Sequence, residues 1–192
     1  ILRIIMSLCS TSLEKARLFK QATVDGLTGL YTRRYFDVRL DEELHRIKYK
    51  GGEIFLLITD IDHFKNFNDT YGHQQGDIVL RELAGLVMNY KKEEMERIAC
   101  RYGGEEFGII LINTNEKKAA SFTEELRKVC EDHPFSGQKE PLKVNFSGGL
   151  SGASQKRILN AAEFIKRSDD LLYQAKEAGR NRIYEYGKEY RK

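Results

Sequence analysis

In the stretch "EIFLLITDID" at positions 53–62, the residues after Glu53 run apolar from Ile54 to Ile58 before acids appear at its end. A continuous apolar run of this length predicts a central strand of a sheet, finishing where polar chemistry begins. By the two-residue period of a strand, Asp60 and Asp62 point to the same side of the pleat. Two further acids, Glu105 and Glu106, follow Gly103-Gly104 between the strand-like runs "RIAC" and "GIILI". This predicts a hairpin with a two-residue type I′ turn, in which both glycines take positive φ. Glu105 and Glu106 then point to opposite faces.

The remaining elements follow from periodicity and end signals. Phe36, Leu40, Leu44 and Ile47 give "RRYFDVRLDEELHRIKYK" (33–50) a helical spacing after the turn "DGLTGLYT" (25–32). The polar stretch 63–77 reads as a long loop, with Asp77 as N-cap of a helix over 77–90. Asn115 opens a helix to about Glu131, "PLKVNFSGGLS" gives a strand, Asn160 opens a helix to about Ala178 that Gly179 stops, and "RIYEY" gives a last strand. From Glu53 the order is β-α-β-β-α-β, then α-β. This predicts an α+β, ferredoxin-like domain: an antiparallel sheet with helices on one face and an added C-terminal α-β unit. Before it, residues 2–23 contain neither Gly nor Pro, and Leu2, Ile5, Cys9, Ser12, Ala16 and Phe19 form a thin apolar seam. The seam suits either a dimerising stalk or a helix packed on its own domain.

In the ferredoxin-like order the strands bearing Asp60 and Glu105-Glu106 are neighbours, so Asp60 faces one of the glutamates. Facing carboxylates repel unless protonated or bridged by a cation. An all-oxygen cluster without His or Cys selects Mg²⁺ or Mn²⁺, whereas acids that only solubilise strand ends need no cation. Asn68 and Asp77 lie in the polar stretch. A carboxylate there can accept two parallel hydrogen bonds from guanine, or it can simply cap a helix. Lys176 and Arg180 sit four apart near a helix end, where they either complement the helix dipole or clamp a phosphate.

Lys and Arg number 32 against 29 Asp and Glu, a balance that does not point to a nucleic-acid partner. Cys9, Cys100 and Cys130 are isolated, which excludes a disulfide framework or zinc site on spacing and fits a reducing cytoplasm. The apolar start "ILRIIMSLC" is too short to span a bilayer, and the absence of an initiator Met suggests a fragment of a larger protein.

Four ordered blocks, "DGLTGLYTRRYF", "TDIDHFKNFNDTYGHQQGD", "RYGGEEF" and "YQAKEAGRNR", resemble the signatures of the GGDEF family, the bacterial diguanylate cyclases, in their GGEEF variant. The resemblance implies a palm-like catalytic domain over 25–192 after a signalling or dimerising helix over 1–24. It implies that two GTP condense to cyclic di-GMP with release of two pyrophosphates, one GTP being held by each subunit of a homodimer. Catalysis would fall to Asp60, Glu105 and Glu106, with Mg²⁺ or Mn²⁺, two ions per GTP-bound half-site, on Asp60, Glu105 and the carbonyl of Ile61. Asn68 and Asp77 would read guanine; related cyclases that accept ATP differ at the Asp77 position. His63, Phe64, Lys65, Lys176 and Arg180 would hold the β- and γ-phosphates.

The sequence also departs from the family pattern. Glu94 and Arg97 stand where many members carry the Arg and Asp of an inhibitory product site, so product inhibition by that route is not expected. Thr32 and Gly148 replace the usual Asn and a β-branched residue, with minor structural effects expected. "LCSTSLEKARLFKQA" resembles the last helix of a GAF sensory domain, which would place a sensor upstream.

Overall fold

A computed structural model describes residues 13–185 except positions 16, 92, 138 and 158. A helix, α1, covers residues 13–23 on both sides of position 16. It is followed by β1 (Tyr31–Thr32), α2 (Arg33–Lys50), β2 (Glu53–Ile61), α3 (Phe64–Tyr71), α4 (His73–Asn89), β3 (Arg97–Arg101) and β4 (Glu106–Ile112). Then come α5 (Glu116–Asp132), β5 (Phe146–Ser154), α6 (Ala161–Glu177) and β6 (Ile183–Glu185). The strands form one sheet in the order β1-β3-β4-β2-β5-β6. β2 pairs antiparallel with both β4 and β5, as the ferredoxin-like order requires. The short edge strands add in parallel, β1 on β3 and β6 on β5.

Helices cover both faces of this sheet, not one. On one face Ile54, Leu56 and Ile58 pack with Phe36, Leu40 and Ile47 of α2 and with Phe164 and Leu172 of α6. On the other, Phe55, Leu57 and Ile61 pack with Val79, Leu80 and Leu83 of α4 and with Phe122 and Leu126 of α5. Every β2 residue from Ile54 onward is buried. That two-sided burial is why β2 reads as an unbroken apolar run instead of an alternating one.

The polar stretch 63–77 is helical, contrary to the expected loop. α3 and α4 meet at Gly72, whose φ of 84° breaks the helix between them. Phe64, Phe67 and Tyr71 form a continuous aromatic row along α3, with ring centroids 6.1 and 4.8 Å apart. Gly72 occupies the N-cap position of α4, so Asp77 lies one turn inside that helix and does not cap it. The hairpin also differs. Residues 102–105 connect β3 to β4, neither Gly103 nor Gly104 has positive φ, and the amides of Tyr102 and Gly103 both donate to the Glu106 carbonyl at 2.7 and 3.2 Å. The expected type I′ turn is therefore absent. Gly103 is small for another reason, because the Glu106 carboxylate lies over it where a Cβ would project.

The helix starts at Asn115 and Asn160 are as expected. Asn115 accepts from the Lys118 amide, and Asn160 forms a reciprocal capping box with Glu163. The strand expected from Pro141 begins only at Phe146, after a bridge between Phe135 and Leu142. In α1, Leu13, Leu18 and Phe19 are exposed, Phe19 at 59%, with Phe19 touching only the edge of Tyr35 among the rings. Leu2, Ile5, Cys9, Ser12 and Ala16 of the apolar seam lie outside the described residues. Among the described residues no helix is long and apolar enough to cross a membrane.

Candidate active site

The end of β2 and the tip of the β3–β4 hairpin meet at one edge of the sheet. Asp60, 8% exposed, lies in register opposite Glu106 on β4 and Ser147 on β5. Glu106 therefore shares the α2/α6 face with Asp60. Glu105 sits one residue before β4, and its carbonyl accepts the Ile61 amide at 3.3 Å. Burial, and then the negative charge of Asp60, push the Glu105 carboxyl above its usual range, partly offset by Lys176. Asp60 and Glu106 thus face each other across the ladder with Glu105 next in the chain, and Lys176 of α6 supplies the local counter-charge, its Nζ 2.8 Å from Asp60 Oδ1.

Asp62 does not join this cluster. Its carboxylate accepts from the Ser147 hydroxyl at 2.7 Å and from the Asn181 amide at 2.9 Å. It thereby anchors the chain after α6, where Gly179, Arg180 and Asn181 all take positive φ. The Asn181 side chain bonds Arg127 and Glu131 of α5 at 2.7 and 2.9 Å, completing the brace. This irregular segment holds Arg180 one turn beyond Lys176. Spacing had suggested the Lys176/Arg180 pair but gave no hint that Asp62 and Asn181 fix it, because their contacts join segments far apart in sequence.

His63, Phe64 and Lys65 follow directly from the β2 end into α3. His63 takes the N-cap position with φ of 58°, so the first amides of α3 lack intrahelical partners and mark the positive end of its dipole. Phe64 is buried and anchors this turn, whereas His63 and Lys65 are exposed. Farther along, Asn68 and Asp77 flank the α3–α4 junction. Asn68 Oδ1 is buried without a hydrogen-bond partner among the described residues, and a Cβ on Gly76 would project into it. The missing side chain at Gly76 leaves Asn68 its place beside α4.

Arg97 points away from the acidic edge. Its guanidinium donates to the carbonyls of Val87, Met88 and Tyr90 at 2.9, 2.8 and 2.7 Å, closing the C-terminal end of α4. Glu94 is largely exposed, 3.9 Å from Lys91.

A sequence profile described as "Diguanylate cyclase, GGDEF domain" matches residues 22–182. The chain belongs to the GGDEF family. Among curated relatives, diguanylate cyclase A of Treponema denticola is 36% identical over 182 residues, covering 93% of this chain and 48% of the relative. The response regulator PleD of Caulobacter vibrioides is 39% identical over 165 residues, covering 84% and 36%. This GGDEF chain thus spans about half or less of the length of these relatives. The GGDEF domain of DgcB from Caulobacter crescentus, solved in complex with c-di-GMP, superposes with a TM-score of 0.79 at 35% identity, covering 87% of this chain and 94% of that one. The active GGEEF domain of a diguanylate cyclase from Vibrio cholerae gives 0.74 at 33% identity, covering 82% and 98%. These likenesses agree with the palm-like α+β fold reached from the sheet order.

Proposed function

We propose that this chain is the catalytic domain of a diguanylate cyclase, condensing two GTP into cyclic di-GMP and two pyrophosphates. The observation that carries this reading is the convergence of Asp60, Glu105, Glu106 and Lys176 at the sheet edge. The donor set suits a divalent cation of the Mg²⁺ or Mn²⁺ kind. Glu105 is held above its usual range by burial and by Asp60, a strain that a bound cation would relieve.

Among the described residues no three His, Cys, Asp or Glu side chains group as a metal site. The expected set has only two carboxylates, Asp60 and Glu105, with the Ile61 carbonyl, and such sites draw further oxygens from substrate phosphates and water. Divalent cations so held, two per GTP-bound half-site, would neutralise charge building on the α-phosphate and the departing pyrophosphate.

The chain's own residues do the rest. Glu105 accepts the proton of a 3′-hydroxyl as that oxygen bonds to the α-phosphorus of the other GTP and the bond to pyrophosphate breaks. Glu106 keeps the tip folded over Gly103 and adds negative charge beside Asp60. The amides of His63 and Phe64, with Lys65, Lys176 and Arg180, hold the β- and γ-phosphates; Lys176 exchanges Asp60 for phosphate as substrate enters. Asn68 and Asp77 read guanine, Asp77, free of any capping duty, accepting from N1–H and N2.

Each subunit holds one GTP, so a half-site is inactive alone and the reaction needs a homodimer. The segment 1–24, to which the described helix α1 belongs, serves as the signalling and dimerising stalk of a catalytic domain over 25–192. The GAF-like resemblance of residues 8–22, part of which lie outside the described residues, makes an upstream sensor the source of control. GTP as substrate and the buried free thiols of Cys100 and Cys130 suit a reducing cytoplasm. With Glu94 replacing an anion-binding Arg and Arg97 engaged on α4, the product does not inhibit through that surface.

The test compares wild type with Glu105→Gln, incubating each with GTP and Mg²⁺ while measuring GTP binding in parallel. Cyclic di-GMP from wild type, and a loss of about 100-fold or more in the variant with binding retained, supports the reading. GTP bound by wild type without turnover, even at high protein concentration, would make the chain a nucleotide-binding module instead.

A further inference from the structure

Arg101 touches both the junction after α1 and the hairpin tip. Its Nε and one terminal nitrogen donate to the Gly104 carbonyl at 3.2 and 2.8 Å. The other terminal nitrogen lies 3.6 Å from the Asp25 carboxylate. Asp25 organises the turn between α1 and β1. Its carboxylate accepts from the Thr28 amide and hydroxyl at 2.9 and 2.7 Å, and its own amide donates to Leu30 at 2.8 Å. Beside it, Val24 bridges to Tyr31, and β1 then lies along β3 with Thr32 opposite Arg101. The turn that ends α1 is thus tied to the hairpin by the backbone ladder and by one side chain.

The carbonyl that Arg101 holds belongs to the peptide group joining Gly104 to Glu105. The carbonyl on the other side of Glu105 accepts from Ile61 at 3.3 Å. Both peptide groups flanking Glu105 are therefore fixed, one to β2 and the other, through Arg101, to the end of α1. The glycines contribute no packing of their own there, and around Gly104 nothing would lie within 4 Å of a Cβ. A guanidinium suits this junction, because its planar fork holds a carbonyl with two N–H groups while its remaining nitrogen carries positive charge to 3.6 Å from a carboxylate. A lysine ammonium is a single point of charge. Asp25 and Arg101 are both half-buried, 24% and 22% exposed at the side chain, so the pair is somewhat less screened than a fully exposed contact.

We propose that Arg101 is a positioning residue that couples the junction after α1 to the aim of Glu105, so that displacement of α1 changes turnover at the tip. The coupling of α1 to the tip stands on the geometry alone, whereas its effect on turnover rests on the role given to Glu105 above. It supplies a physical route by which a change in the helix upstream reaches a carboxylate on a different sheet edge. The route runs through named contacts: the Asp25 turn, the Arg101 fork and the Gly104–Glu105 peptide.

The test uses the full chain as wild type, Arg101→Lys, Asp25→Asn and the double variant. Amide hydrogen exchange across residues 101–107 is measured beside kcat, KM for GTP, affinity for a non-hydrolysable GTP analogue and thermal stability. Each single variant is expected to speed exchange at the tip about five-fold or more. Each should also lower kcat about ten-fold while analogue affinity stays within about two-fold, and the double variant should cost little beyond either single one. Unchanged exchange at the tip overturns the proposal, as do additive effects or kcat, affinity and stability falling together. A wild type that makes no cyclic di-GMP would overturn the proposed function alone, and the exchange data would still decide the coupling.

Discussion

Asp77 shows how one residue changes meaning between sequence and structure. In the sequence it stands where a cap belongs; in the fold it lies one turn inside α4, with Gly72 at the N-cap. Its carboxylate is therefore not taken up by capping, which leaves it for the guanine-reading role proposed above. Asp77→Ser should relax base choice, with the preference for GTP over ATP falling about ten-fold or more because a paired acceptor for guanine is lost. A competition assay showing undiminished GTP preference would refute that role. That Asp60 lies beside the glutamate pair was legible from strand order alone. The register was not: it sets Glu106, not Glu105, directly across from Asp60, and strand order alone does not fix which of two adjacent residues faces a neighbouring strand. Arg101 carried no spacing signal, and Asp62, which strand spacing grouped with Asp60, is instead held by Ser147 and Asn181, contacts that join segments far apart in sequence.

At the level of elements, the close approach of α6 to β5 is the contact that places Lys176. A Cβ on Gly149 would press into the α6 backbone at Ser168 and Leu172. Gly149→Ala should therefore push α6 off the sheet, costing about 3 kcal/mol in a denaturant titration and weakening GTP binding together with stability. Gly148 is different. The space a side chain would take is filled by the ends of Ile183, Leu57 and Thr59, which explains how a strand position tolerates glycine.

A second element contact makes stability depend on pH. Burial works to raise the Glu82 carboxyl, but hydrogen bonds from the Ser136 hydroxyl and amide, with His133 at 3.1 Å, outweigh it and hold it below the usual 4.5. A carboxyl lowered in the folded state stabilises fully above its unfolded value, and that contribution is lost as pH falls through the folded one. Denaturant midpoints of wild type and Glu82→Gln should accordingly differ most above pH 4.5 and converge in more acidic solution. A gap that widens on acidification would contradict the assignment. Helices with strong end signals, α5 and α6, were readable from Asn115 and Asn160. α3 was not, because its aromatic row was hidden among polar residues suited to a loop.

For the whole molecule, strand order was legible and layering was only half so. The unbroken apolar run of β2 already implied cover on both faces, but the ferredoxin-like pattern suggested one, and the two cores around α2/α6 and α4/α5 decide for two. This double cover leaves the ends of the central strands as the place where acids, the start of α3 and the cations of α6 can meet a solvent-borne ligand. The exposed apolar side chains of α1 and the tie from its turn to the hairpin belong to the same domain as this edge, and the proposed coupling rests on that tie.

The central claim, that this edge joins two GTP molecules, is tested most directly by product stoichiometry in the presence of Mg²⁺. Chromatography with pyrophosphate detection should show two GTP consumed and two pyrophosphates released for each cyclic di-GMP formed. GDP and orthophosphate as the products, or pyrophosphate release with no cyclic dinucleotide, would contradict it.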